Sequence, residues 1–287
     1  MTWAIVADSS CNLRDYTPTA PDTVYLYAPL KVTVSGHEFV DSHDIDMHEY
    51  FTEIETSVGA SSTACPSVGE WKELFEQADN VIVVPISSQL SGSLEAAETA
   101  KTLLHESTHK NIHIVDSHAA GGKLELIVEL IDRYLTAHPR ASFSDVCTYA
   151  DEIEAHSQVL YSLSSYANLT KAGRMPKIAG LVANKLNIRV LGTATPEGTM
   201  KILGPSRGEK KMQAKIIAAM ESDGFNGGDV FIDHVNNEAG AQALANRIVS
   251  TWSNARCHVL PCGALCSFYA ENNGLIIGYG WDIASGL

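Results

Sequence analysis

The sequence has no long hydrophobic run and few basic residues, and both shortages exclude classes of protein. No apolar stretch approaches the roughly 18 residues that a membrane-spanning helix needs. Only 20 Lys and Arg stand against 34 Asp and Glu, so the formal net charge is −14. A general nucleic-acid-binding protein needs a basic face, which this balance argues against. Because the amino terminus lacks the basic start of a secretory signal, we expect a cytoplasmic protein.

Motifs that hold metals and nucleotides are also missing. Six cysteines are present, but none forms a C-x-x-C pair, so we expect reduced thiols and no metal. The strings G-x-G-x-x-G and G-x-x-x-x-G-K-[ST] are absent, which excludes the standard dinucleotide and P-loop sites and predicts no cofactor. No G-x-S-x-G elbow is found, which argues against a serine hydrolase.

Two histidine-rich segments invite a metal interpretation that their context does not favour. The string from His105 to His109 matches H-E-x-x-H, but it lies between a predicted helix and a predicted strand at Ile112. A zinc protease needs both histidines on a helix face inside a cleft, so we interpret this string as surface. The segment from His37 to Glu49 carries three His and five acids at no standard ligand spacing, and we interpret it as a solvated loop.

Short apolar runs alternate with helical periodicity along the chain. This alternation predicts βαβ units and a parallel sheet in the first half, with more strands and helices in the second. We therefore predict an α/β protein with a parallel-sheet N-terminal domain (residues 1–157) and a second α/β domain (158–287). The formal charge also changes there, from −17 to +3. The main predicted elements are strands Trp3–Ala7, Val81–Ile86 and Ile112–Val115, and helices Leu94–Leu104, Leu124–Leu135 and Pro176–Lys185.

Small hydroxyl residues follow three of the predicted strands, at Ser9-Ser10, Ser87-Ser88 and Ser117. Ligands of open α/β sheets bind at the carboxyl ends of the strands, and hydroxyls near helix N-termini suit an anion. Ser91-Gly92 continues the second of these loops, and a glycine lets the backbone approach a ligand closely. The alternative is that the serines only cap helices, which requires no ligand.

The motifs, taken in order, resemble the DegV family of bacterial fatty-acid-binding proteins over nearly the whole chain. Each motif is modest by itself, but their order is specific. The matching segments are Asp8–Leu13 (D-S-T-x-D-L in the family), Thr63–Ser67 (T-S-Q-P-S), Ile86–Ser93 (I-S-S-x-L-S-G-T), Val115–Ser117 (V-D-S) and Leu169–Met175 (L-x-K-G-G-R-I).

The resemblance implies a binding protein and not an enzyme. It implies a long-chain fatty acid between two domains, presented to an ATP-dependent fatty acid kinase that makes an acyl phosphate for phospholipid synthesis. Thr63 and Ser91, with Gly92, correspond to the residues that hold the carboxylate, and Arg174 to an arginine near it. Two alternatives remain open: a carrier of another carboxylate-bearing amphiphile, and a hydrolase or phosphotransferase that uses the Ser/Asp strand ends. Transient contact with a membrane also remains open.

The last family signature, H-T-G-P-G-A, is altered in this chain to Tyr269-Ala270-Glu271-Asn272-Asn273-Gly274. Tyr269 replaces the histidine that contacts the carboxylate, and Glu271 replaces a glycine. A phenol can donate a hydrogen bond to a carboxylate, so we expect Tyr269 to take over the head-group contact. Glu271 would repel the ligand, so we expect it to point away or to pair with a cation such as Arg174.

Basic residues concentrate in the second half, between Lys171 and Lys215. The string Ser206-Arg207-Gly208-Glu209 predicts a capping box that opens a helix. Arg207, Lys211 and Lys215 recur every four residues and would then share one helix face. We predict that this basic row docks an acidic face of the partner kinase. The alternative is an ordinary solvated helix face.

Overall fold

The computed structural model describes residues 2–57, 59–105, 108, 110–175 and 188–283. The elements before residue 157 are β1 (Trp3–Asp8), β2 (Thr23–Ala28), β3 (Lys31–Val34), β4 (His37–Val40), α1 (Met47–Thr56), β5 (Ser61–Ala64), α2 (Val68–Phe75), β6 (Asn80–Val84), α3 (Ser93–His105), β7 (Asn111–Ile114), α4 (Gly122–Ala137) and α5 (Phe143–Ala155). Those that follow are β8 (Ser157–Leu163), α6 (Ala167–Lys171), β9 (Ile188–Ala194), β10 (Met200–Arg207), α7 (Glu209–Ser222), β11 (Gly228–His234), α8 (Glu238–Thr251), β12 (Ala255–Pro261), α9 (Ala264–Ala270) and β13 (Leu275–Gly280).

A parallel sheet forms the centre of the first half, with strand order β2-β1-β6-β7. Every residue of β6 is buried, as are Ala4 to Asp8 of β1. Strands that are buried on both faces are continuous apolar runs, which is why the sequence revealed them. Helices α2 and α3 cover one face, and α4 covers the other. The predicted parallel sheet is confirmed.

A six-stranded mixed sheet is built from residues 157–280, in the order β10-β9-β8-β13-β11-β12. Only β11 and β12 pair in parallel, and the other neighbours are antiparallel. Helices α7 and α8 pack on one face through residues such as Met212, Ile216 and Leu244. The second α/β unit is thus confirmed, whereas the division into domains at residue 157 stays a prediction.

Helix α4 lies between the two large sheets. Its apolar residues share one core with Ile5 and Ile82 of the parallel sheet and with Phe231 and Ile276 of the mixed sheet. The first turn of α4 also touches the backbone of β13, because a Cβ on Gly122 would lie 2.4 Å from the amide nitrogen of Gly278. Only glycine permits that approach, so the sheets meet across a single closely packed helix.

A small antiparallel sheet with order β4-β3-β5 lies beside α1 and α9, and the sequence did not reveal it. The interpretation of residues 37–49 as a solvated loop is wrong in part. Asp41 is fully buried and forms an ion pair with Arg14, and its carboxylate accepts the amide protons of Ala264 (2.8 Å) and Leu265 (3.1 Å) at the start of α9. Asp46 caps α1.

The predicted capping box at Ser206 is also wrong. Ser206 and Arg207 belong to β10, and α7 begins at Glu209 after Gly208, which has φ +82° and no side-chain cap. His105 ends α3, while Glu106, Ser107 and His109 of the rejected zinc string lie outside the described residues, as does the predicted helix 176–185. Within the part of the chain that is described, no helix is long and apolar enough to cross a membrane.

Candidate functional site

An apolar cavity lies between the mixed sheet and the loops that leave the parallel sheet. It is a small space, with a volume of about 50 Å³. A small apolar space suits an extended hydrocarbon chain better than a bulky or polar molecule. Its walls are Ile86, Leu90, Ala120, Tyr161, Leu163, Leu169, Arg174, Met200, Leu265, Cys266, Tyr269, Ala270 and Ile276.

Arg174 and Tyr269 lie where this cavity meets the surface. Both also line a surface depression that includes Thr63. Arg174 lines a second depression together with Ser91 and Gly92. The structure therefore gathers all five residues predicted for the head-group site around one end of the apolar cavity. Their contact with a ligand stays a prediction.

The hydroxyls of Thr63 and Tyr269 form a hydrogen bond of 2.7 Å with each other. Thr63 lies on β5, and Tyr269 lies near the end of α9, whose first amides are held by Asp41. Two hydroxyls carry two protons, and their mutual bond uses one of them. The second proton is available to an anion, and this pair can therefore act as a donor to a carboxylate.

Ser91 follows β6, one residue before Gly92 and two before the start of α3. Its Oγ accepts the amide proton of Ser93 at 3.3 Å. The Ser91 hydroxyl proton has no acceptor among the described residues, so it too can be donated to a ligand. Gly92 lies against the segment Thr63–Ser67, because a Cβ placed on it would be 3.5 Å from the Sγ of Cys65.

The backbone of Arg174 is held by the end of α6. Its amide donates to the carbonyl of Leu169 (3.0 Å), and the amide of Gly173 donates to Thr170 (3.2 Å). Gly173 has φ +74°, so these two bonds form the Schellman motif that ends many helices. The position of Arg174 consequently follows the position of α6.

Within the described part of the chain, the guanidinium of Arg174 donates to two backbone carbonyls, from Nε to Leu90 (3.0 Å) and from Nη1 to Ala172 (2.5 Å). It forms no ion pair with any carboxylate in the described ranges. Glu271 forms no ion pair with Arg174 among the described residues, and its orientation away from the ligand stays a prediction. The carboxylate of Glu271 accepts the amide proton of Asn168 at 3.2 Å. The charge of Arg174 is left for an anionic ligand.

Most of the other strand-end hydroxyls form hydrogen bonds inside the protein, although they do not cap helices as the alternative predicted. The buried Asp8 carboxylate accepts from Ser10 Oγ (2.6 Å), Ser93 Oγ (2.6 Å) and the Ile86 amide (3.0 Å). Burial raises the pKa of Asp8, although these hydrogen bonds oppose the shift. The hydroxyl of Ser87 donates to the carbonyl of Gly198 at 2.8 Å. These groups shape the loops around the cavity and are not free to bind a ligand.

Two buried carboxylates behind α9 were not found by sequence reasoning. Asn12 donates to both carboxylates, from its backbone nitrogen to Glu125 (2.5 Å) and from its side-chain Nδ2 to Asp233 (2.9 Å). Its side-chain Oδ1 accepts the amide proton of Gly263 (2.8 Å). Burial raises the pKa of Asp233 to about 7, and burial together with Asp233 raises the pKa of Glu125 well above its usual range. The pair therefore keeps a proton near neutral pH. The sequence did not reveal this pair, because the residues around Glu125 follow an ordinary helical pattern and nothing marks the carboxylate as buried.

The three predicted docking residues do not share a helix face. Arg207 is exposed at the end of β10, and Lys211 is exposed on α7. Lys215 lies one turn further along α7, is half-buried and donates to the carbonyl of Leu203 at 3.1 Å. The exposed positive charges of this surface are therefore Lys211 on α7 and Arg207 at the end of the edge strand β10.

One group of metal-ligand side chains occurs among the described residues, formed by Glu129, Asp229 and His258. Arg133 and Arg256 both donate to the Asp229 carboxylate, with closest distances of 2.5 and 2.6 Å. Two guanidinium charges on the same carboxylate oppose a metal cation. These residues connect α4 to β11 and β12 and offer no evident metal site.

Comparison with known proteins links this geometry to one family. Residues 2–279 match the family described as uncharacterised protein, DegV family. A DegV domain-containing protein of Streptococcus gordonii is 35% identical over 280 residues, which cover 97% of this chain and 99% of that protein.

Two solved structures are similar to this chain over nearly its whole length. The Fatty Acid Kinase B3 protein of Streptococcus pneumoniae, loaded with linoleic acid, is 36% identical with a TM-score of 0.93, over 98% of this chain and 100% of that one. A DegV family protein from Eubacterium eligens, loaded with heptadecanoic acid, is 31% identical with a TM-score of 0.91, over 97% of this chain and 99% of that one.

Proposed function

This chain belongs to the DegV family, and from that premise we propose that it holds one long-chain fatty acid in the apolar cavity. The carboxylate lies at the end marked by Arg174 and Tyr269. The observation that carries the proposal is the guanidinium of Arg174, which has no carboxylate partner among the described residues and lies at the mouth of a small apolar cavity. An acyl chain with an anionic end complements both features.

The hydrocarbon chain supplies most of the affinity. Burying about 14 methylenes at about 0.8 kcal/mol each sets an upper limit near 11 kcal/mol, before the costs of ordering the chain. Each head-group hydrogen bond adds about 1–3 kcal/mol and fixes the orientation. The apolar cavity walls therefore favour a lipid, and the polar residues at the mouth determine that its carboxylate end faces solvent.

The carboxylate would accept hydrogen bonds from several donors around the mouth. Arg174 provides a charge-assisted bond, the strongest type available there. Thr63 and Tyr269 provide the one proton that their mutual bond leaves over, and Ser91 provides its own hydroxyl proton. Glu271, whose charge would oppose the ligand, is directed to the amide of Asn168.

We further propose that the bound carboxylate is presented to an ATP-dependent fatty acid kinase. Support comes from the similarity to a Fatty Acid Kinase B3 protein. In this arrangement the kinase supplies the nucleotide and the chemistry, and the present chain is the non-catalytic, lipid-holding subunit. The acyl phosphate then enters phospholipid synthesis. The exposed Arg207 and Lys211 would contact an acidic face of the kinase, whereas Lys215 is held by the Leu203 carbonyl. A cytoplasmic location belongs to the same proposal.

Native mass spectrometry of the purified chain, followed by solvent extraction, tests the ligand. We expect one long-chain fatty acid per protein. A different carboxylate-bearing amphiphile would redirect the proposal to that ligand class. An empty protein that hydrolyses an ester or a phosphate would overturn it in favour of an enzyme.

Two arginine variants test the placement of the carboxylate. Arg174→Gln should weaken oleate binding about tenfold or more, because it removes a charge-assisted hydrogen bond. Arg247→Gln removes the same charge from an exposed site on α8 and should bind oleate like the parent. Equal affinities for the two variants would move the head group away from Arg174.

A further inference from the structure

The turn after α9 has a backbone conformation that is unusual for a glutamate. Glu271 ends the helix with φ +55° and ψ 174°. Such angles are close to a region that glycine enters freely and other residues enter at a cost in free energy. A side chain persists there only where surrounding contacts hold it, so the position calls for a compensating role.

The compensating contacts connect α9 to α6. The carboxylate of Glu271 accepts the amide proton of Asn168 at 3.2 Å, in the first turn of α6. The Nδ2 of Asn168 returns a hydrogen bond of 2.8 Å to the carbonyl of Phe268 in α9. A carboxylate at the N-terminus of a helix satisfies an amide that has no partner within that helix. The two bonds join the helices reciprocally.

Each of these helices carries one side of the cavity mouth. The far end of α6 holds the backbone of Arg174 through the bonds to Leu169 and Thr170. The last turn of α9 carries Tyr269, two residues before Glu271. The distance between guanidinium and phenol therefore depends on how α6 sits against α9.

We propose that Glu271 is a positioning residue that fixes α6 against α9 and so sets the separation of Arg174 and Tyr269 for the ligand carboxylate. The inference rests on the proposed function and extends it to a residue that touches no ligand. It also explains why an acid is tolerated there, because its charge is engaged by a helix amide and not by Arg174.

Four single variants and one double variant test this role in the full chain, with oleate displacement of a fluorescent fatty acid as the assay. Glu271→Gly removes the link and permits the turn, and we expect oleate affinity to fall about tenfold. Glu271→Gln keeps an acceptor oxygen, so its affinity should stay within about twofold of the parent. Asn273→Gly is the matched control: Asn273 has φ +66° in the same turn, and its contacts to Arg189 and Asn237 use only its carbonyl.

The double variant Glu271→Gly with Arg174→Gln separates positioning from general destabilisation. If Glu271 acts through Arg174, the double variant should bind oleate no more weakly than Arg174→Gln alone, because coupled effects do not add. Melting temperatures of all variants are measured alongside. Should Glu271→Gly fail to fold, Asn168→Ala cuts the second bond between the same helices and is expected to weaken oleate binding in the same way.

The inference is overturned if Glu271→Gly binds oleate like the parent, if the double variant shows the product of the two single losses, or if Asn273→Gly weakens binding equally. The proposed function fails separately, through a parent chain that binds no oleate, and the inference then falls with it. A parent that binds oleate while Arg174→Gln has no effect overturns the route through Arg174.

Discussion

Thr63 and Tyr269 lie 206 positions apart in the chain, yet their side-chain oxygens are 2.7 Å apart at the end of the apolar cavity. This bond connects the small antiparallel sheet to the last short helix. It also places two hydroxyls, with one proton to spare, beside the guanidinium of Arg174.

Replacing Tyr269 should change both the strength and the pH response of fatty-acid binding. Tyr269→Phe removes a donor and should weaken binding by about 1 kcal/mol. Tyr269→His introduces an imidazole with an ordinary pKa of about 6.5, so binding should strengthen as pH falls from about 8 to 6. Displacement of a fluorescent fatty acid across this range measures both effects.

Tyr161→Phe is the control for the loss of a cavity phenol. Tyr161 lines the same cavity, but its oxygen accepts the amide proton of Ala120 at 3.3 Å, and it does not line either of the surface depressions that hold Thr63, Ser91 and Gly92. If the Phe and His variants of Tyr269 both bind like the parent at every pH, Tyr269 does not contact the carboxylate.

Removing the Ser91 hydroxyl should reduce fatty-acid affinity. We expect Ser91→Ala to lose about 1–3 kcal/mol of binding free energy, the cost of leaving a buried acceptor without its donor. Ser88→Ala removes an exposed hydroxyl from the same loop and should leave the affinity unchanged. Calorimetric titration with oleate compares the two, and a folded Ser91→Ala protein of parental affinity would remove Ser91 from the site.

Charge reversal on the basic surface should affect the kinase reaction and not lipid binding. Arg207→Glu combined with Lys211→Glu reverses two exposed charges, while Lys215 is left to hold the Leu203 carbonyl. Acyl-phosphate formation by the partner kinase should be slower and less sensitive to salt, because steering by opposite charges is lost. Arg247→Glu on α8 serves as the control. If the variant supports acyl-phosphate formation at the parental rate and with the parental salt dependence, these residues do not dock the kinase and form an ordinary solvated surface.

The buried Glu125–Asp233 pair should make the free energy of unfolding depend on pH. Burial raises both pKa values in the folded state, that of Asp233 to about 7. The folded protein therefore keeps a proton that the unfolded chain releases above about pH 4. The stabilisation is fully present below about pH 4 and is lost as pH rises through about 7. The neighbouring thiols of Cys11, Cys262 and Cys266 do not share this titration, because burial raises their pKa well above the usual range.

Urea unfolding at several pH values tests this pair through Asp233→Asn, which cannot ionise. The variant should lose less stability than the parent between about pH 5 and 8. Glu73→Gln, at an exposed carboxylate on α2, should keep the parental slope. Parallel pH profiles for Asp233→Asn and the parent would mean that Asp233 is already ionised throughout this range.

Local pattern was sufficient for the parallel sheet and for most helices. β1 and β6 are short, continuous apolar runs, and α4 repeats its buried residues with helical spacing, so neighbouring residues carry the signal. The small sheet gave no such signal, since two of its strands, β4 and β5, are largely exposed. The capping box failed because β10 alternates in burial through Arg207, and the pairing of β10 with β9 outweighed a four-residue motif.

The sequence by itself determined the fold class, the family resemblance and the identity of the head-group candidates, because each depends on the order and spacing of residues along the chain. Tertiary structure decided which of these residues meet. Contacts such as Thr63 with Tyr269, Glu271 with Asn168, and the pair Glu125 and Asp233 join segments that are far apart in the chain. Burial, which sets the pKa of a carboxyl and the cost of an unpaired charge, arises only when those distant segments pack together.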